Sequence, residues 1–308
     1  MDESARFLDR LPADLRPLVR RSVLLRDLTT LRIGGPAELV CPIQNPSHAQ
    51  RFQELARQVG LPSFILGGGS NLLAADEGYA GVVLLVATDR LAHEDEVLTA
   101  GAGLPFDRMV AGSLDWGLTG LEFASGIPGT VGGALVGNAG CYGHEIGEFL
   151  LDALVLQPDG SLATLGPQDF GFAYRTTGLR ETGAVIIEAR FRLARGDAEA
   201  ARQVRQEKIA DRQAKHPVDL PSAGSWFRNL PPDRPGGLRR AAGQLLEQAG
   251  AKAMHEGDAR VFERHANIIV NTGRATCADV LRLAARMKLA VKERFGVDLV
   301  EEVRRLGP

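Results

Sequence analysis

Between Gly120 and Gly143 the chain reads GLEFASGIPGTVGGALVGNAGCYG, with eight glycines in 24 residues. A second, shorter tract, Leu66-Gly67-Gly68-Gly69-Ser70-Asn71-Leu72, follows directly after a strand-like run. Glycine reaches positive φ at no steric cost and lets a backbone approach a ligand with no Cβ in the way. Successive N–H groups in such a backbone form a concave nest that holds phosphate oxygens without lysine. Ser70, Asn71, Ser125, Thr130 and Asn138 add side-chain donors, so the two tracts together point to a diphosphate site. Alone, three consecutive glycines read equally well as a tight turn, because short motifs recur by chance. Neither tract is a standard nucleotide fingerprint. No G-x-x-x-x-G-K-[ST] is present, and Gly101-Ala102-Gly103-Leu104-Pro105-Phe106 lacks the third glycine of the dinucleotide motif.

With 308 residues, 44% hydrophobic and 24% charged, the chain has material for about two domains with real cores. A formal net charge of −2 offers no general attraction to nucleic acid or anionic membrane, so an anionic ligand needs a local basic pocket. Cys41, Cys141 and Cys277 are odd in number, far apart and outside any Cys-x-x-Cys pair, which disfavours a zinc site or disulfide framework. His144-Glu145 is followed by Glu148 and not by histidine, so no H-E-x-x-H metal motif forms and no metal is expected. Met1–Arg26 is studded with Asp2, Glu3, Asp9 and Asp14 and does not read as a signal peptide. The longest apolar run, Val82–Ala87, is far below the roughly 18 residues of a membrane span. The expected location is a reducing cytoplasm.

Strand signals occur at Ala37–Cys41, Ser63–Leu66, Val82–Val86, Val97–Ala100 and Leu154–Gln157. Ser47–Val59 reads as a helix with Ser47 as N-cap and Gly60 past its end. Val185, Ile187, Ala189, Phe191 and Leu193 alternate strictly, the period of a strand with one buried face. A charged helix at Ala198–Lys215 follows. A Pro-rich loop (Pro231, Pro232, Pro235) then leads to a helix near Arg239–Ala249, a strand at His265–Asn271 and a helix capped by Thr276 and Asp279. That last helix carries Val280, Ala284, Met287, Val291 and Phe295 on one face, and Val297–Val303 closes the chain as a strand. The fold class is α+β with mixed sheets.

In this order the chain carries Thr30-Leu31-Arg32-Ile33-Gly34-Gly35-Pro36-Ala37, Leu66–Leu73, Gly126–Gly143, Tyr174-Arg175, Pro221–Asn229, His265–Asn271 and Val297–Gly307. These stretches cover nearly its whole length and resemble the UDP-N-acetylenolpyruvoylglucosamine reductase family. The resemblance implies a flavin-binding domain of the vanillyl-alcohol-oxidase type over residues 1–195, with subdomains of about 1–65 and 66–195. A smaller substrate-binding domain would occupy 196–308. It implies FAD held without a covalent bond, NADPH as hydride donor and a monomer acting on a nucleotide-sugar. The cofactor contacts it implies are Gly67, Gly68, Gly69, Ser70 and Asn71, then Gly126, Ile127, Pro128, Gly129, Thr130, Gly132, Gly133, Asn138 and Gly140. One subgroup of the family has an extra loop after Tyr-Arg that bears a substrate-covering tyrosine. Here only Thr176–Gly183 separates that motif from the next strand, as in the subgroup lacking the loop.

The resemblance also assigns catalytic roles. Arg175 corresponds to the arginine facing the substrate carboxylate, Ser225 to the proton donor and Glu302 to the acidic partner in stabilising charge. Lys215, Asn229 and His265 correspond to substrate contacts. Read from the residues alone, Arg175 is a loop arginine, Ser225 a turn serine with no G-x-S-x-G elbow, and His265 a core histidine. Glu301 stands where the family has proline, and on a Leu299–Val303 strand Glu301 and Glu302 face opposite sides, so only one can serve a site. An FAD oxidase of the same fold acting on another small substrate is the alternative, since the glycine tracts alone would suit it.

Overall fold

The computed structural model describes residues 2–232, 234, 237 and 239–308. Its contacts divide it into two compact units. The first comprises Met1–Val23, Ala37–Gly68 and Ala80–Ala210, and the second Leu24–Pro36, Gly69–Tyr79 and Asp211–Pro308. A single cut at residue 195 therefore differs from the contact pattern, which sends two short N-terminal segments into the second unit.

In the first unit the alternating strand Val185–Arg192 is the middle of a five-stranded antiparallel sheet. Leu150–Leu156 and Val97–Gly101 flank it, with Leu162–Leu165 and Leu91–Glu94 at the edges. Val185, Ile187, Ala189 and Phe191 are buried as their spacing demands, since alternate side chains share a face. A four-stranded sheet runs in the order Arg20–Leu24, Pro36–Ile43, Tyr79–Val86, Ser63–Leu66, with the last two parallel. Helix α1 (Glu3–Arg10) packs on α2 (Pro46–Val59), which buries Ala49, Phe52, Leu55, Ala56 and Val59 at helical spacing. The N-cap of α2 is Asn45, not Ser47. Its side chain accepts from His48 N at 2.9 Å, and Pro46 fills the first helical position, where its missing N–H is no loss. Gly60 ends α2 at φ 75° as expected. Helices α3 (Phe106–Asp115) and α4 (Val131–Val136) cover the sheets, and α5 (Ala198–Lys215) leads out of this unit.

The second unit is built on an antiparallel sheet ordered Ser222–Ser225, His265–Asn271, Ala259–Phe262, His255–Glu256. Helices α6 (Ala242–Gln248) and α7 (Cys277–Phe295) pack on it, and Leu31, Ile33 and Leu73 join Leu246, Ile269, Val280, Leu283 and Met287 in one core. Thr276 and Asp279 form the anticipated capping box of α7. The chain end departs from expectation. Residues 297–303 are irregular apart from one bridge between Glu301 and Phe227, and the closing strand is Arg304–Leu306, parallel to Leu72–Ala74. The outgoing backbone pairs with the segment after the first glycine tract, a partner that local patterning does not reveal. Gly35, Gly78 and Gly307 belong to this crossing. A Cβ on Gly35 would stand 2.1 Å from Asp76 O, on Gly78 2.0 Å from Pro36 O, and on Gly307 2.5 Å from Gly78 O. α6 is shorter than Arg239–Ala249, and Pro235 of the Pro-rich loop lies outside the described residues. Among the described residues no helix is long and apolar enough to cross a membrane.

Candidate active site

The first glycine tract leaves the strand Ser63–Leu66 and runs against the start of α4. A Cβ on Gly67 would stand 2.6 Å from Thr130 Oγ1, and one on Gly68 3.0 Å from Gly129 Cα, so the two tracts touch backbone to backbone. Gly69 has φ 61°, and a Cβ there would lie 2.2 Å from Leu28 O. The N–H groups of Gly68, Gly69, Ser70 and Asn71 donate no hydrogen bond to any described residue. Three of these successive unspent donors, on Gly69, Ser70 and Asn71, lie in the second unit, a backbone run of the kind that can bind an anion.

The second tract divides by role. Gly126, Pro128 and Gly133 are exposed, with Ile127 and Gly129 half-buried. Gly126, at φ 70°, donates to Asp107 Oδ1 at 2.7 Å, and Arg205 grips that carboxylate with two bonds of 2.7 and 2.8 Å. Thr130 caps α4 by accepting from Gly133 N. Ser125 Oγ donates to Glu122 O at 2.7 Å. Gly132 and Gly140 serve packing, since a Cβ on Gly132 would sit 2.9 Å from Ala102 Cβ and on Gly140 2.6 Å from His144 O. Asn138 is buried, and both its amide N–H groups are taken inside the unit, by Glu145 and by the carbonyl of Ala173.

Arg175 also lies in the first unit, at the third position of the tight turn Ala173–Thr176. Its φ is 57°, a region that a residue with a Cβ enters at a cost of about 1 kcal/mol or more. Thr176 N bonds back to Ala173 O at 3.1 Å, Arg180 Nη1 donates to Arg175 O at 2.9 Å, and the Arg175 guanidinium stacks 5.5 Å from the Tyr174 ring.

In the second unit, Ser225 ends the strand Ser222–Ser225, whose register on His265–Asn271 shifts between those two serines. Gly224, at φ 74°, permits the bulge. Its neighbour Trp226 donates N–H to Asn267 O at 2.7 Å and accepts Glu302 N–H at 2.8 Å. The carbonyl of Glu302 accepts from Asn71 Nδ2 at 3.2 Å, so its backbone is pinned on both sides, and Arg304 N donates to Asn71 O. Glu301 pairs its carboxylate with Arg305 at 2.8 Å. Ser225, Glu302 and Asn71 therefore share one neighbourhood of this unit. Asn229 Oδ1 accepts from Ala242 N at 3.1 Å at the start of α6, and Lys215 pairs with Asp211 at 2.5 Å. His265 Nδ1 accepts from Asn267 N at 3.3 Å, which fixes the neutral ring with its proton on Nε2. Burial lowers its pKa, and burial together with Arg212, His265 and Lys215 pushes His216, whose ring centroid is 5.3 Å away, down to about 4.

Two residues of this framework escaped the sequence reading. Asn267, buried, accepts from Phe227 N at 2.9 Å and donates to Phe227 O at 2.8 Å, acting as a strand partner for the segment after Ser225. An asparagine within the apolar run His265–Asn271 was the available signal, because strands disfavour it. Asp107 gave no signal, since its partners are distant in sequence.

The bare backbone surface and its sheet framework define a flavin-binding domain: the family model described as "FAD binding domain" matches residues 37–166. That described as "UDP-N-acetylenolpyruvoylglucosamine reductase, C-terminal domain" matches 216–306. UDP-N-acetylenolpyruvoylglucosamine reductase 2 of Symbiobacterium thermophilum is 40% identical over 291 residues, covering 94% of this chain and 92% of the relative. The reductase of Halalkalibacterium halodurans is 37% identical over 97% of this chain and 99% of its own. The crystal structure of UDP-N-acetylenolpyruvylglucosamine reductase from Thermus caldophilus superposes with a TM-score of 0.79 at 32% identity, covering 94% of this chain and 99% of that one. The glucose dehydrogenase Phl p 4.0202 shares the fold alone, with a TM-score of 0.50 at 15% identity over 64% of this chain and 45% of that one. The chain belongs to the UDP-N-acetylenolpyruvoylglucosamine reductase family.

Proposed function

We propose that this protein reduces UDP-N-acetylglucosamine enolpyruvate to UDP-N-acetylmuramate with FAD and NADPH, a step of peptidoglycan synthesis. The observation that carries the reading is the run of unspent N–H groups on Gly69, Ser70 and Asn71, in a chain of this family. They fit FAD because a diphosphate needs several donors at close range, and the glycines that lead into the run, Gly67, Gly68 and Gly69, have no room for a Cβ. Gly67–Asn71 and Gly126–Thr130 would hold the cofactor. When bound, FAD would supply the hydride chemistry that links NADPH to the enolpyruvyl group.

The remaining work falls to side chains. Arg175, always charged and able to bind at two points, holds the substrate carboxylate into which negative charge spreads. Ser225 supplies the proton to the carbon that becomes carbanion-like. Glu302 can share in stabilising that charge only in its protonated form, as a hydrogen-bond donor, because an ionised carboxylate would repel it. Lys215, Asn229 and His265 bind the nucleotide-sugar. Residues 1–195 supply flavin binding and 196–308 substrate binding, and the enzyme works as a monomer in the cytoplasm.

The test is a pair of anaerobic half-reactions on the purified protein. The expected result is a yellow protein bleached by NADPH and reoxidised by the enolpyruvyl nucleotide with no oxygen present. Reoxidation by air alone would favour an oxidase, and a colourless product that refuses added FAD would sink the reading.

A further inference from the structure

Asn138 sits inside the second glycine tract at φ 43°, almost completely buried. Its Nδ2 donates to Glu145 Oε2 at 2.6 Å and to Ala173 O at 3.2 Å, and its Oδ1 accepts from Gly147 N at 3.3 Å. The orientation of the amide follows from its partners, since turning it over would set its oxygen against two other oxygens. All of its hydrogen-bonding N–H capacity is thereby directed at the protein. Ala173 opens the turn that carries Arg175, and the same carbonyl accepts Thr176 N–H. Two further bonds tie this turn down: Thr177 Oγ1 to Val136 O at 3.1 Å, and Arg180 Nη1 to Arg175 O at 2.9 Å. Beneath it Phe172 lies on Gly147, where a Cβ would come within 2.9 Å of the ring.

We infer that Asn138 is a positioning residue that acts through Arg175, holding the turn so that the guanidinium is presented at a left-handed backbone position. The inference rests on the role proposed above for Arg175. It takes Asn138 out of the set of direct cofactor contacts. The glycine tract that faces the cofactor and the turn that carries the carboxylate-binding arginine are then one mechanical piece, joined by one buried amide.

Asn138→Gly is the informative variant, because glycine accepts φ 43° and only the amide is lost. Asn138→Asp keeps an acceptor for Gly147 N but sets a second carboxyl group against Glu145, so it should slow the enolpyruvyl half-reaction at least as much. The expected result is an enzyme that retains its flavin while the enolpyruvyl half-reaction slows by about tenfold to a hundredfold, the penalty of a misplaced binding group. Trypsin cleavage after Arg175 in the same holoenzyme should accelerate several-fold relative to cleavage at other sites. In a double-mutant cycle, Asn138→Gly should add nothing to Arg175→Ala, since one acts through the other. Multiplying effects, or a loss of flavin affinity as large as the loss of rate, would overturn the inference. An unchanged trypsin rate at Arg175 overturns it alone, whereas an intact enolpyruvyl half-reaction in Arg175→Ala overturns it together with the reading it rests on.

Discussion

Ser225 ends a bulged strand, and its position is set by neighbours on both sides: Gly224 at φ 74° before it and Trp226, doubly bonded through its backbone, after it. In the role proposed above, Ser225 supplies its proton only once the substrate is seated. Ser225→Ala should therefore leave bleaching by NADPH almost intact and slow reoxidation by the enolpyruvyl nucleotide about 10²–10⁴-fold, the usual reach of a general acid. Stopped-flow traces of the two half-reactions check it, and equal slowing of both would count against the role. Glu302 offers a sharper test because two replacements separate its charge from its hydrogen bond. Glu302→Gln, which keeps a donor, should retain at least tenfold more of the second half-reaction than Glu302→Ala, a difference on the order of one hydrogen bond to a charged group. A Gln variant no faster than the Ala variant would count against a hydrogen-bond donor at this position. At this scale the sequence was informative only through resemblance. Arg175, Ser225 and Glu302 have no local pattern that distinguishes them from a loop arginine, a turn serine and a chain-end glutamate.

Elements tell a different story, because the glycine tracts announced themselves by density alone. What density could not say is which glycines serve a ligand and which serve the chain. A Cβ would meet protein at all of these, Gly67–Gly69 included, so the structure separates them by what lies beside the backbone. Gly132 and Gly140 face Ala102 and His144 in the interior, and Gly35, Gly78 and Gly307 crowd one another where three segments cross. Gly67–Gly69 border the unspent N–H groups. Gly69→Ala combines a positive φ with a Cβ 2.2 Å from Leu28 O, so it should lower the flavin content of the purified protein and its Tm together. The expected destabilisation is about 1–3 kcal/mol, as for other forced overpacking. Absorbance at the flavin band per mole of protein, with a thermal melt, measures both. A full flavin complement and unchanged Tm would dismiss the steric argument. Strands and helices were legible from period and caps, as Val185–Arg192 and the Thr276/Asp279 box show. Residues 297–303 were not. Their apolar spacing imitates a strand, but only the bonds of Glu302 N to Trp226 O and Arg228 N to Val300 O, around one bridge, hold that segment, and the continuous ladder forms three residues later.

For the whole molecule, the histidine pair His216 and His265 gives a pH signature. Both are lowered in the folded protein, chiefly by burial, His216 from 6.5 to about 4 with Arg212 and His265 adding to the effect. The unfolded chain thus takes up protons that the folded chain refuses as pH falls from about 6.5 towards 4, so folded stability declines across that window and is fully present above it. Tm measured between pH 7 and pH 4.5 should fall, and His216→Gln should flatten part of the decline. An identical slope in the variant would locate the effect elsewhere. The composition set the class of molecule, the periodicities set most of its helices and strands, and the glycine tracts announced a backbone that must stay bare. These are local properties, written in consecutive residues. The pairing of Leu72–Ala74 with Arg304–Leu306, the bond from Asn71 to Glu302 and the grip of Asn138 on Ala173 join positions 231 and 35 residues apart in the last two cases. Such contacts depend on how packed elements bring distant backbone groups within hydrogen-bond reach, and a one-dimensional pattern carries no record of that distance.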